Sequence, residues 1–319
     1  MTFPLTELDD AAGDVDRDHG VDAVEALEAE PVDAAPPAPA APEDVEVLLS
    51  HTAERRSGPR PPAGRIITVV SPKGGAGKTT VATNLAVGLA RRAPGMTALL
   101  DLDLTFGDVA SALLLDPKHG IGQVARAARA LDDAAVKMLL TQHPTGLHVL
   151  CAPDDPVEGD DVAPEDVASV VDLLGADLPY VVIDTGAGMD EPTLLAVERS
   201  TDLVLVGAMD VPSLLGLRKA IDVLDRLGMT SARRHLVLNR ADSRVGLEVA
   251  DVESTLGLEV AVSIPSSRSI PLSVNQGRPI IETDWKSPAG RALQELVDRF
   301  AEVPTTRTGG FGWLRRSAR

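Results

Sequence analysis

From Arg65 onward the apolar residues follow two alternating rhythms. Short, strongly apolar runs read as buried strands at 65–70, 97–101, 147–151, 180–184, 202–207, 234–239 and 259–263. Between them, apolar positions recur at three- and four-residue spacing, as Val81, Leu85, Ala86 and Leu89 do. Those stretches predict helices over 78–92, 122–130, 132–141, 164–175, 190–199, 212–227, 245–256 and 287–301. Strand and helix in alternation predict an α/β fold with a doubly wound, mostly parallel sheet and helices on both faces. In such a fold functional residues collect at the carboxyl ends of the strands.

The rhythm is missing at both termini. Residues 1–62 are rich in Ala, Pro, Asp and Glu, including the run from Ala34 to Pro42. So little apolar surface cannot offset ordering entropy, so a disordered acidic leader is expected there. The first 50 residues hold −13 of the net charge of −18. The rest is only mildly acidic, which argues against a large basic DNA-binding face. Residues 63–303 are expected to form the folded domain and 304–319 a basic, aromatic tail. No apolar run is long enough to span a membrane, and the acidic start lacks the apolar region of a secretory signal. A lone Cys151 suits a reducing compartment, so a cytoplasmic location is expected.

The expected first strand runs directly into Ser71-Pro72-Lys73-Gly74-Gly75-Ala76-Gly77-Lys78-Thr79-Thr80. The general phosphate-loop pattern G-x-x-x-x-G-K-[ST] is met except at its first position, where Pro72 stands. The mechanism survives that change, because Gly74, Gly75, Ala76 and Gly77 still let backbone N–H groups converge on an anion at a helix start. Lys78 would reach the β- and γ-phosphates of ATP, and the Thr79 hydroxyl would ligate Mg²⁺. Lys73 has no task in that scheme.

Two later strands end in carboxylates. Asp101 and Asp103 close the second run, with Asp103 the better placed for a water or metal-shell role and Asp101 for positioning Mg²⁺ or the loop. Asp184 ends Tyr180–Asp184 ahead of Gly186 and Gly188, as a residue of the Mg²⁺ shell would. Asn239 ends a further strand and offers a donor and an acceptor to a nucleobase edge; an Asx-turn is the competing reading.

Together these residues resemble the deviant Walker A group of P-loop ATPases, that of MinD and ParA, over residues 64–303. The resemblance implies that Lys73 reaches across a nucleotide-sandwich homodimer, that Asp103 lies in switch I and Asp184 in switch II, and that Asn239 contacts adenine. Within the group the chain looks most like the CpaE/TadZ proteins of Tad pilus assembly. The stretch Asp101–Ala110 carries that likeness, with Thr145–Leu147 through Ala152-Pro153, Asp190–Thr193 and Ser273–Pro279. It implies a slow ATPase that places pilus or secretion machinery. Gly186 stands where the group often has Pro, which bears on hydrolysis rate and leaves a non-catalytic scaffold as a rival. MinD-like division-site and ParA-like partition roles are the others. In the tail, Phe311, Trp313 and Leu314 sit among Arg307, Arg315, Arg316 and Arg319, which suits a partner or an anionic membrane surface at the inner face of the cell membrane; a frayed, solvated terminus is the competing reading.

Overall fold

The computed structural model describes residues 64–301 apart from 129–132, 154 and 243–245. The expected leader and tail lie outside the described residues. All seven expected strands form: β1 (Arg65–Val70), β2 (Thr97–Leu102), β4 (His148–Leu150), β5 (Tyr180–Thr185), β6 (Asp202–Ala208), β7 (Arg233–Asn239) and β8 (Val260–Ile264). With an eighth, β3 (Thr141–Gln142), they build one sheet in the order β3-β4-β2-β5-β1-β6-β7-β8. All pairings are parallel except that of β3, a two-residue edge strand antiparallel to β4. It falls where the expected helix 132–141 was to finish, and that helix ends instead at Leu139.

The fully apolar strands make sense because both sheet faces are covered. On one face Ile67, Val69, Leu99, Val182, Val204 and Val237 pack under α1 (Lys78–Arg92) and the C-terminal helix Pro288–Ala301. The alternate residues point the other way and divide into two cores. Ile66, Leu100 and Ile183 pack beneath the helices Ile121–Ala128 and Pro164–Asp177. Leu203, Leu205 and Leu236 pack beneath Val211–Arg226. The helix expected from residue 245 begins at Val249, where the Asp251 carboxylate accepts the Glu248 N–H at 2.9 Å.

One polar hub ties the amino ends of the strands together. Asp202, fully buried at the start of β6, accepts from Arg65 Nε at 3.1 Å and Nη2 at 2.8 Å, and from Thr201 Oγ1 at 2.8 Å. His235 Nε2 lies 2.9 Å from the same carboxylate, and Arg233 reaches it from the rim. Arg65 also donates to the Arg299 and Phe300 carbonyls and covers the Phe300 ring, so the hub fastens the end of the C-terminal helix to β1. Burial alone would raise the Asp202 carboxyl, but its donors outweigh that and hold it well below the usual range. A depressed acid stabilises the fold above the unfolded aspartate value of about 3.9 and loses that contribution as pH falls below it. Asp202→Asn should therefore cost roughly 3 kcal/mol in urea unfolding at pH 7, because Arg65 is left buried without its counter-charge. The gap between variant and wild type should narrow as the titration is repeated toward pH 3.

Candidate functional site

β1 lies at the centre of the sheet and its carboxyl end delivers the glycine loop. Gly75 and Gly77 take left-handed conformations (φ 73° and 99°), and Gly77 caps α1 with no side chain of its own. A Cβ on Gly77 would lie 2.2 Å from the Asn239 amide nitrogen, so only glycine lets the loop and the end of β7 meet. The α1 N-terminus thus faces the loop with open N–H groups and no acidic residue in its first turn. Pro72 packs against Gly216 of the Val211–Arg226 helix, close enough that a Cβ there would come within 3.2 Å. The non-glycine at the first pattern position is therefore seated away from the anion cradle.

The two lysines are in different surroundings. Lys78 is buried at the start of α1, whereas Lys73 is exposed and reaches Asp210 at 3.3 Å. Asp210 is also the N-cap of its helix, accepting the Ser213 N–H at 2.8 Å. Asp210 before Val-Pro-Ser has the sequence form of a helix start, but nothing local marks it as a partner of Lys73. Thr79 and Thr80 lie half-buried in the first turn of α1.

The carboxylates converge as the strand order requires. Asp101 of β2 pairs in register with Asp184 of β5, and Asp184 is next to Val69 of β1. Both Asp184 oxygens are buried and neither closes a hydrogen bond of good geometry, the neighbouring donors being the Thr79 hydroxyl and the Thr185 N–H. Burial pushes the Asp184 carboxyl up to about 7, with the Thr79 hydroxyl and Lys78 ammonium opposing and the Asp103 charge adding. An orphaned buried carboxylate beside a threonine hydroxyl at a phosphate loop is what a Mg²⁺ shell fits, since the cation would supply the missing charge. Burial, then the charge of Asp184, push Asp101 well above the usual carboxylate range, while N–H bonds from Val109 and Asp103 pull it back. Asp103 is half-buried; its Oδ1 accepts the Phe106 N–H at 3.1 Å. A Cβ on Gly186 would stand 3.7 Å from the Asp103 carboxyl, so the tips of the two acidic loops meet.

At the far side, Asn239 Nδ2 donates to the Ala76 carbonyl at 2.8 Å and Oδ1 accepts the Arg240 N–H at 3.0 Å. The Arg240 contact is to the next residue and is not the i to i+2 bond of an Asx-turn; one amide hydrogen and one lone pair of Asn239 are left uncommitted by these two bonds. Arg240 is one of two non-glycine residues among those described with positive φ (54°), and its guanidinium approaches the Gly75 carbonyl at 3.5 Å. No hydrophobic rhythm or spacing marks it, because its conformation is imposed by the loop it faces.

Such a site, on such a sheet, defines a P-loop nucleotide-binding domain. The chain belongs to the family described as the CobQ/CobB/MinD/ParA nucleotide binding domain, which it matches over residues 67–280. It is 28% identical over 249 residues to the septum site-determining protein MinD of Escherichia coli K12, covering 74% of this chain and 90% of that one. Among solved structures it resembles a ParA family ATPase from Chlorobium tepidum (TM-score 0.70, 21% identity, 74% of this chain and 99% of that one). It also resembles MinD from Pyrococcus horikoshii, solved with Mg-ADP (TM-score 0.65, 23% identity, 75% and 96%).

If Asp184 completes a metal shell, Asp184→Asn should weaken Mg²⁺-dependent nucleotide binding by about tenfold. Binding measured in EDTA should stay within about threefold of wild type. Calorimetry of ADP with and without Mg²⁺ reads both numbers, and equal losses in the two conditions would remove Asp184 from the metal shell.

Proposed function

We propose that this chain is a Mg²⁺-dependent ATP switch: it binds ATP on the 73–80 loop, pairs with a second copy, and hydrolyses slowly. Family membership supports nucleotide binding. The observation that carries the dimer is the separation of the lysines, with Lys78 buried at the loop and Lys73 exposed at its rim. A cation in that place adds nothing to its own loop but suits the phosphates of a facing copy. Bound Mg²⁺ would supply positive charge at the β- and γ-phosphates. The chain's own residues do the rest: the loop N–H groups and Lys78 hold the phosphates, Thr79 and Asp184 face the metal position, and Asp103 orients or deprotonates the attacking water. Asn239 would use its remaining donor and acceptor on adenine.

The biological setting we favour is placement or assembly of a Tad-type pilus, supported by the Asp101–Ala110 stretch and by Ser273–Pro279. A division-site role like that of MinD is the second reading, and its support is the 28% identity to a septum site-determining protein. Among the described residues no helix is long and apolar enough to cross a membrane. Attachment to a membrane would rest on residues 305–319, and deleting them should then abolish sedimentation with anionic vesicles. Unchanged sedimentation would end that idea.

Phosphate release separates the parts. Lys78→Ala should lose ATP binding, and Asp103→Ala should bind ATP yet turn over about 100-fold more slowly. Lys73→Ala should bind ATP normally but lose about 100-fold in turnover and stay monomeric by light scattering. Equal rates in wild type and all three variants would leave a nucleotide-binding scaffold and no ATPase.

A further inference from the structure

Asp101, next to last in β2, is almost wholly buried (1% exposed), and each of its oxygens holds one backbone N–H. Oδ1 accepts the Asp103 N–H at 3.1 Å and Oδ2 accepts the Val109 N–H at 3.1 Å. These two amides bracket Asp103–Asp108, the loop that carries the water-orienting carboxylate. Val109 opens the short helix Val109–Ala112, whose local N-cap, Asp108, makes no side-chain cap bond. The capping is done instead by a residue eight positions earlier, on another element. Gly107 records how closely loop and carboxylate are pressed. A Cβ there would fall 2.5 Å from Asp101 Oδ2 and 2.4 Å from the Ala152 Cβ. The loop's other flank is held as tightly, since a Cβ on Gly159 would lie 2.2 Å from the Leu104 carbonyl.

We propose that Asp101 is a positioning residue for hydrolysis: its carboxylate closes both ends of the 103–108 loop and so aims Asp103 at the position beside Gly186. The proposal rests on the ATPase reading above. Its chemistry is simple, because a carboxylate gives two acceptors on one rigid fork and can join two N–H groups that no neighbouring carbonyl reaches. Asparagine in its place retains one acceptor and turns a donor toward the other N–H, so one end of the loop is released.

The test uses the full chain with Asp101→Asn and, as a second handle that leaves the carboxylate intact, Gly107→Ala. Hydrogen exchange of the amides of Asp103 to Val109, measured without nucleotide, should accelerate about tenfold in both variants. ATP affinity and the Mg²⁺ concentration for half-maximal turnover should stay within about threefold, while turnover falls by about tenfold or more. Three results would overturn the proposal. One is unchanged exchange across the loop. The second is a half-maximal Mg²⁺ raised about tenfold with turnover restored at high Mg²⁺, which marks a metal ligand. The third is a Gly107→Ala protein that turns over as wild type does. If Asp101→Asn fails to fold, Gly107→Ala decides. A wild type without ATPase activity would sink the functional reading alone, because the exchange measurement still judges the clamp.

Discussion

The site is organised around two carboxylates that must lie side by side. β2 and β5 are adjacent and in parallel register, so Asp101 and Asp184 end up neighbours, both buried. Like charges at that spacing repel, and burial strips them of water that would soften the cost. The fold answers the two in opposite ways. Asp101 is satisfied internally by backbone N–H groups, while Asp184 is left unsatisfied next to Thr79 and Lys78. One carboxylate is therefore committed to backbone N–H groups, and the other is left without a partner, as the metal shell proposed above would require. The glycine loop, the half-buried Asp103 and the Gly186 turn are all arranged about that division.

The opposite end of the sheet shows how a similar charge is managed when no ligand is wanted. Asp202 is as buried as Asp184, but it is surrounded by Arg65, Thr201, Arg233 and His235. Its donors outweigh desolvation, so its carboxyl is depressed where those of Asp101 and Asp184 are raised. The contrast follows from the strands themselves. At their amino ends an acid is ringed by the cations that close the hub on the last helix, and at their carboxyl ends two acids lie side by side. Stability and chemistry are thus separated by the length of a strand, about 20 Å for six residues.

Much of this was legible before any coordinates. The strand ends Asp101, Asp184 and Asn239 stand out because each interrupts a continuous apolar run, and the glycine loop announces itself by composition. β3 did not, since two residues carry no period, and Thr141–Gln142 is a strand only because β4 lies beside it. The short helices Val109–Ala112, Pro156–Asp160, Ser269–Asn275 and Ile280–Thr283 escaped for the same reason, being too short to display a face. Asp202 and Asp210 were invisible for another: each looks like an ordinary helix or strand boundary until residues from about 140 positions away arrive. For Asp101 the sequence predicts a role in positioning Mg²⁺ or the loop, but nothing in Asp-Leu-Asp says which oxygen meets which amide.

The contact between Lys73 and Asp210 has a consequence of its own. Their side chains are 50% and 39% exposed, and an ion pair so open to water contributes at most about 1 kcal/mol. At that strength Lys73 spends roughly one part in six of its time away from Asp210 without any trigger. Salt would raise that fraction further, since exposed pairs are screened over about 10 Å at 0.1 M. The lysine is thus held by Asp210 at almost no thermodynamic expense. On the dimer proposed above, a facing copy would not have to pry it loose, and the barrier to association would lie in bringing the two copies together.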